Sequence, residues 1–308
     1  MVFELQQLAL EALGVPDADW YVGARPNAGI ASDLSGILIT WLFFYTLLLL
    51  FYHSVCPLVT YCVKTKYPNA PTSKVPNPLI RNMKEVSHMA FPLYVTVPMM
   101  GDVFRKKNWG LTCGWPTEHD CGGWVPAILA SIAYFLAVEF IIFIDHYYFL
   151  HKFDIGKRLG QHAQHHVYKK ADQLNSFSGY AFAPQDGWSQ GLPLAICTLF
   201  IPVPLAFVYL MEVATGLWTL YIHTDIAPLP WPFMGCDYHY IHHKYNWYNF
   251  GFMTLLFDTL FGTVKHPGAD ALAVSRGFQP MSKPSSQSEL AARAGAHASE
   301  LLDARKVE

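Results

Sequence analysis

Charged residues are scarce in this sequence. Only 14% of its 308 residues are Asp, Glu, Lys or Arg, whereas an average soluble domain carries about 25%. Hydrophobic residues make up 52%, and the formal net charge is −2. The lack of a basic excess argues against nucleic-acid binding. The apolar composition indicates a membrane protein with one catalytic unit.

Several common motifs are also missing. The six cysteines form no C-x-x-C pair, which argues against a zinc ribbon or a redox dithiol. We expect free thiols at Cys113 and Cys121, although the two are close enough to pair in an oxidising lumen. No Gly-rich dinucleotide motif follows a strand, so we do not expect NAD(P)H to bind this chain. Glu4 and Glu11 interrupt the first 13 residues, which predicts a surface helix instead of a cleavable signal.

Long apolar runs indicate the fold class. Residues 36–63 and 124–144 are each long enough to cross a bilayer, which takes about 20 apolar residues. The run 89–100 is short for a crossing. The run 192–221 is broken by Pro202-Val203-Pro204, which predicts two short helices in a hairpin. The sequence therefore predicts an all-α polytopic membrane protein, with about four to five transmembrane helices and a cytosolic histidine-rich metal-binding cap.

These runs divide the chain into four regions. An N-terminal amphipathic or polar segment (1–35) precedes a membrane region with its loops (36–123). A catalytic domain (124–267) follows. The remaining residues (268–308) form a polar tail that we expect to be mobile.

Eight of the 14 histidines form three tight groups beyond apolar runs, and a ninth, His223, stands alone where another apolar run ends. In the two H-x-x-H-H boxes, histidines three or four residues apart share a helix face. Each box can therefore offer two ligands to one metal and a third to a neighbour. The first pair is five residues apart, which requires a helix end or a distortion between its members. The predicted metal ligands are His146, His151, His162, His165, His166, His223, His239, His242 and His243.

The number of histidines indicates the kind of metal centre. Nine imidazoles exceed the four ligands of one structural zinc, and imidazole-rich sites also suit iron, copper and nickel. Two first-row ions fit best, and redox chemistry at a membrane favours iron with dioxygen. Asp225 is the strongest candidate to accept a hydrogen bond from the free ring N–H of a metal ligand, with Asp186 and Asn249 as further candidates. The other histidines are interpreted as ordinary polar side chains: His53, His88, His119, His266 and His297.

One shared metal centre requires all the boxes on one side of the membrane. The predicted hairpin between His166 and His223 returns the chain to its starting side. Basic residues near the boxes favour the cytosolic side. They are Lys152, Lys157, Arg158, Lys169, Lys170 and Lys244.

The order of the boxes resembles that of the fatty acid hydroxylase superfamily of membrane di-iron oxygenases. Residues 139–267 are most similar to the sterol C-5 desaturases, or lathosterol oxidases, within it. The similarity includes NSFSGYAFAPQDG at 175–187, LWTLYIHTD at 217–225, HYIHH at 239–243 with NFG at 249–251, and DTLFG at 258–262.

Two positions depart from this family's pattern. Tyr147 stands where the family usually has arginine, and His151 lies one residue farther from His146 than usual. In a second alignment of the first box, Tyr148 and His151 match the family's Tyr-x-x-His-Arg part, and Ile155 stands in place of the box's second histidine. The first alignment, in which His146 and His151 are the two histidines of the box, is preferred. Ala183 also stands where the family has histidine, which predicts a different sterol or a slower enzyme.

The resemblance implies an enzyme of the endoplasmic reticulum membrane. It would use two iron ions and O2 to introduce the C-5(6) double bond into a delta-7 sterol. Electrons would come from NAD(P)H through cytochrome b5 and its reductase, and no general acid or base is implied. Two alternatives stay open. One is a C-4 sterol methyl oxidase or a lipid or fatty acid hydroxylase of the same superfamily; the other is a non-catalytic metal-binding membrane protein.

Overall fold

The regular elements are helical throughout the part of the chain that the computed structural model describes, which is residues 30–114, 121–226 and 228–267. This confirms the predicted all-α class. The expectations of a surface helix near the N-terminus and of a mobile tail at 268–308 lie outside the described residues. The α-helices are α1 (Ile30–Lys66), α2 (Asn77–Tyr94), α3 (Thr96–Lys106), α4 (Trp124–Ile144), α5 (Asp154–Gly160), α6 (Pro184–Ile196), α7 (Leu205–Ile222), α8 (Cys236–Tyr245) and α9 (Leu256–Phe261).

Among the described residues, three helices are long and apolar enough to cross a membrane. They span Gly36–Lys66 in α1, Trp124–Leu150 in α4 with the turn that follows it, and Leu205–Ile222 in α7. The expected count was four to five, and the run 89–100, which is short for a crossing, is divided at Val95 between α2 and α3. Pro98 cannot donate the backbone hydrogen bond that would continue α2 into α3.

The predicted hairpin is confirmed in α6 and α7. A 3₁₀ turn (Cys197–Leu199) and Pro202-Val203-Pro204 reverse the chain between the two helices. Tyr134 of α4 donates a hydrogen bond from its hydroxyl to the carbonyl of Leu194 at 2.6 Å, which fixes α4 against the hairpin. The start of α6 and the end of α7 therefore lie at the same end of the molecule, beside the histidines.

The expectation of two free thiols is wrong: Cys113 and Cys121 form a disulfide. Their Cα atoms lie 5.4 Å apart, within the range that a disulfide spans. The backbone of Cys113 pairs with the hairpin turn, because its N–H donates to Val203 and its carbonyl accepts from Leu205. The disulfide thus lies near the start of α4 and α7, at the end of the molecule opposite the histidines.

Candidate metal centre

The nine predicted ligands come together in two groups. Within each group the nitrogen atoms that face a common centre lie within 4.8 Å of one another. Cluster A contains His146, His151, His162, His166 and His242, and cluster B contains His165, His223, His239 and His243. The structure therefore places every predicted ligand in a candidate site, and their role in binding metal stays a prediction.

A π-helical turn solves the spacing of the first pair. In a regular α-helix, residues five apart point about 140° away from each other. Residues Asp145–Leu150 instead form a π-helix directly after α4. Its wider turn brings His146 and His151 into the same cluster, with ring centroids 5.1 Å apart. The predicted distortion is confirmed, and such turns are frequent at functional sites.

The two H-x-x-H-H boxes each serve both clusters. His162 and His166 lie in cluster A, whereas His165 between them faces cluster B. In the third box the division is reversed, because His242 joins cluster A while its neighbours three residues before and one after join cluster B. The third box is α-helical in α8, but the second is a 3₁₀ segment (His162–Val167).

Backbone carbonyls fix the protonation of three rings. The Nδ1 of His146 donates to Phe250 at 2.8 Å, and that of His242 donates to Tyr248 at 2.8 Å. The Nδ1 of His223 donates to the carbonyl of Thr219 at 2.7 Å. A carbonyl oxygen can only accept, so these Nδ1 atoms carry the proton and each Nε2 presents a lone pair.

Asp186 supplies the same support to His162. Its carboxylate is fully buried and accepts a hydrogen bond from Nδ1 of His162 at 2.7 Å. The side chain of Gln190 donates to the other oxygen at 2.7 Å, which holds the carboxylate in place. Of the three predicted supporting residues, Asp186 makes the expected contact with a ligand.

Asp225 and Asn249 have other contacts. The carboxylate of Asp225 accepts from the backbone N–H of Thr72 at 3.3 Å. His223 donates to a carbonyl of the helix that it follows, so the support expected from Asp225 comes from Thr219 instead.

The side-chain amide of Asn249 hydrogen-bonds to the backbone of Tyr238 and Lys265. It thereby anchors the segment that contains Tyr248 and Phe250, whose carbonyls accept from the predicted ligands.

Two buried carboxylates hold that segment, and one of them, Glu139, was not among the predicted site residues. Asp258 accepts from the backbone N–H groups of Phe250 (2.7 Å) and Gly251 (2.6 Å). Glu139 of α4 accepts from the N–H groups of Met253 (3.0 Å) and Thr254 (2.8 Å). An isolated acid inside an apolar span is a recognised sign of function, and this sign pointed to Glu139 in the sequence.

Burial keeps the imidazoles neutral. It lowers the pKa of His223 to about 4 and, with the nearby His162, that of His242 to about 3. Burial and the surrounding imidazoles also hold the pKa values of His165, His166, His239 and His243 well below their usual range. Neutral imidazole is the form that binds metal ions.

The facing nitrogen atoms fit a cation in each cluster. In cluster B, Nε2 of His223 lies 3.1 Å from that of His165 and 3.0 Å from that of His239. In cluster A, the Nε2 atoms of His146 and His162 are 3.0 Å apart, although both rings donate through Nδ1. Facing lone pairs repel each other unless a cation lies between them. The spacing suits neighbouring ligands of one ion at about 2.0–2.1 Å.

Phe182 borders cluster B, and Ala183 is the next residue in the chain. The ring of Phe182 stacks on His165 with centroids 3.9 Å apart. Ala183 is buried at the start of α6, where its carbonyl accepts from the hydroxyl of Tyr94. The position of the family's histidine is thus next in sequence to a residue that contacts cluster B, and the expected effect of Ala183 on substrate or rate stays a prediction.

The histidines interpreted as ordinary polar residues stay outside both clusters where they are described. His53 and His88 pair with each other through their Nε2 atoms at 3.0 Å. His266 pairs with the hydroxyl of Tyr238 at 2.9 Å. His119 and His297 lie outside the described residues.

Comparison with known proteins gives a consistent family. Residues 131–263 match the model of the fatty acid hydroxylase family. A Delta(7)-sterol-C5(6)-desaturase of Nicotiana tabacum is 32% identical over 182 residues, which cover 59% of this chain and 65% of that protein. A Delta(7)-sterol 5(6)-desaturase of Aspergillus fumigatus is 28% identical over 256 residues (81% and 68%). A lathosterol oxidase of Homo sapiens is 29% identical over 165 residues (51% and 53%).

The chain spans just under two thirds of the length of the tobacco relative. No solved structure matches the chain at a significant level.

Proposed function

Since residues 131–263 belong to the fatty acid hydroxylase family, we propose that this chain is an O2-dependent sterol desaturase. Its reaction introduces the C-5(6) double bond into a delta-7 sterol in the endoplasmic reticulum membrane. The relatives named as delta-7-sterol desaturases and lathosterol oxidases support this substrate. The three apolar helices support action on a lipid in the bilayer.

The reaction removes one hydrogen atom from each of two neighbouring carbons. O2 takes up these two hydrogen atoms together with two electrons and two protons, and two water molecules form. We propose NAD(P)H as the electron source, through cytochrome b5 and its reductase. Two iron ions held by the clusters would supply the chemistry that attacks an unactivated C–H bond.

The chain's own residues hold the ions and fix their ligands. Clusters A and B offer five and four imidazoles. Thr219, Tyr248 and Phe250 accept the Nδ1 protons, so the lone pairs at Nε2 face inward. All ligands except His151 are buried, which keeps bulk water away from the two ion sites. The inward-facing lone pairs are the observation that carries the proposal.

Expression in a yeast strain without its C-5 desaturase tests the reaction. We expect sterol profiling to show a new 5,7-diene at the expense of the delta-7 sterol. A hydroxylated lipid or a loss of C-4 methyl groups would instead support another reaction of the same family. Absence of any oxidised product, from protein shown to contain iron, would support a non-catalytic metal protein and sink the proposal.

The variant His165→Ala tests the role of the clusters. His165 faces His223 and His243 in cluster B, so its loss removes one of four ligands. We expect the diene to disappear and the iron content of the purified protein to fall. The matched control is His53→Ala, because His53 is exposed and outside both clusters. Full activity of His165→Ala would refute its role as a ligand.

A further inference from the structure

Helix α5 presents its apolar side chains outward. It lies between His151 of cluster A and His162 of the same cluster. Its buried side consists of Gly156 and Gly160, and a Cβ atom at either position would collide with Phe149 or Leu150 of the π-helical turn. Ile155 and Leu159, one turn apart on another side, are 65% and 57% exposed. This is the reverse of a helix on a soluble protein, where the apolar stripe faces the core.

The exposed apolar surface continues from the membrane-spanning helix α4. Leu129 in the first half of α4 is 61% exposed, as expected for a side chain that faces lipid. Near the end of α4, Phe140 and Phe143 contact Phe257 and Phe261 of α9. Leu260 of α9 is 69% exposed. The lipid-facing side of α4 therefore extends onto α9.

Tyr148 connects α9 to the start of α5. Its ring centroid lies 6.5 Å from that of Phe261 and 6.0 Å from that of Phe153, which directly precedes α5. Phe153 is itself exposed. The aromatic contacts thus form a continuous path from a membrane span to α5, at the end of the molecule that carries the metal clusters.

We propose that α5 and α9 form a docking rim that inserts into the bilayer at the boundary between headgroups and acyl chains. The rim consists of Phe153, Ile155, Leu159, Leu260 and Phe261. Such surface helices combine an apolar face with basic residues that bind anionic headgroups. Lys152, Lys157 and Arg158 supply these charges along the same segment, against the single acid Asp154. The proposal concerns position in the membrane and is independent of the reaction.

Spin-label accessibility tests the docking rim. Nitroxides are attached to Ile155→Cys, Leu159→Cys and Leu260→Cys, each in a Cys62→Ser background because Cys62 is the exposed free thiol of the described residues. The labelled protein is placed in nanodiscs of phosphatidylcholine with phosphatidylserine. Collisions with lipid-soluble O2 are compared with collisions with a water-soluble nickel chelate.

Two reference sites calibrate the measurement. Leu129→Cys reports the acyl chains, and Asp172→Cys, at an exposed polar position on the metal-bearing side, reports water. We expect the three rim sites to share the strong O2 and weak nickel effects of Leu129→Cys. Nickel effects equal to those of Asp172→Cys would overturn the proposal and indicate a water-exposed surface for a protein partner. Unchanged iron content shows that each labelled variant is folded.

A charge reversal tests the headgroup contacts separately. The double variant Lys157→Glu with Arg158→Glu should increase the nickel effect at Ile155→Cys in the anionic nanodiscs. The matched control reverses Lys169 and Lys170, which lie outside α5. An equal increase in the control, or none in the test variant, would contradict a role of α5 charges in docking.

Discussion

At the scale of single residues, Asp186 is the buried hydrogen-bond partner of His162, a predicted ligand. Its carboxylate holds the Nδ1 proton of His162, and supports of this kind typically contribute 10–100-fold to metal affinity. We therefore expect Asp186→Asn to lower iron affinity by about 10–100-fold. Titration of the metal-free protein with Fe²⁺ under anaerobic conditions measures this change.

The exposed Asp154 provides the control for that substitution. Its carboxylate pairs with Lys157 at the surface, and such pairs contribute little to stability. Asp154→Asn should therefore bind iron like the unaltered protein. Equal affinity in Asp186→Asn and Asp154→Asn would show that the buried hydrogen bond does not orient His162.

Buried neutral histidines make the metal-free protein sensitive to mild acid. A histidine in the unfolded chain titrates near pH 6.5, whereas the folded pKa is about 4 for His223 and about 3 for His242. Between these values only the unfolded chain binds the proton, so stability falls as the pH drops below about 6.5. Each such histidine contributes a loss of about 1.4 kcal/mol per pH unit.

Thermal unfolding in detergent measures this effect. We expect the Tm of the metal-free protein to fall steadily from pH 7 to pH 5, and to be level above pH 7. A Tm that does not change between pH 7 and pH 5 would mean that the imidazoles are not buried in neutral form.

At the scale of elements, the segment 248–255 is a brace for cluster A. Its carbonyls accept from His146 and His242, while Asp258 and Glu139 hold its N–H groups. In Asp258→Asn, one of the two carboxylate oxygens is replaced by an NH2 group. This group is a hydrogen-bond donor, and it faces donors that the carboxylate oxygen had accepted from. An unsatisfied buried polar group costs about 1–3 kcal/mol. We expect a lower Tm together with weaker iron binding in this variant.

Thr263→Ser is the control for the brace. Thr263 donates from its hydroxyl to Asp258 at 2.6 Å, and serine keeps that hydroxyl. Iron binding and Tm should stay near those of the unaltered protein. Lowered stability with normal iron affinity in Asp258→Asn would mean that the brace stabilises the fold without orienting the ligands.

The elements that could be predicted from the sequence are those with local signals. Apolar length located α1 and α4, and Pro202 with Pro204 located the hairpin turn. The three-and-four spacing divided each box correctly between two clusters. Five-residue spacing at His146 and His151 required a distortion, and the structure supplies it as a π-helix.

Contacts with backbone groups account for what the sequence did not predict. The acceptor for His223 is a carbonyl four residues earlier, and the acceptor for His146 lies 104 residues away at Phe250. Carbonyls are present at every position, so no residue type marks them as partners. The pairing of Cys113 depends similarly on its backbone contacts with Val203 and Leu205, which sequence spacing does not reveal.

At the scale of the whole molecule, the disulfide and the histidines lie at opposite ends of α4 and α7. Disulfides persist in oxidising compartments such as the endoplasmic reticulum lumen. If the helices cross that membrane, the clusters face the cytosol. In sealed microsomes with the cytosolic side outward, a membrane-impermeant maleimide should label Lys170→Cys in a Cys62→Ser background without detergent.

Cys113 and Cys121 serve as the internal control for this orientation. They should become labelled only after detergent and a reductant are both added. Labelling of Lys170→Cys only after detergent would contradict this orientation and place the clusters on the luminal side.

Helix α8 supplies ligands to both clusters, and this sets the order of events during translation. Before α8 is synthesised, four of the five histidines of cluster A and two of the four of cluster B are present. Cluster A is complete only when residue 242 has left the ribosome, and cluster B only when residue 243 has. A premature stop before α8 would therefore remove predicted ligands from both clusters at once.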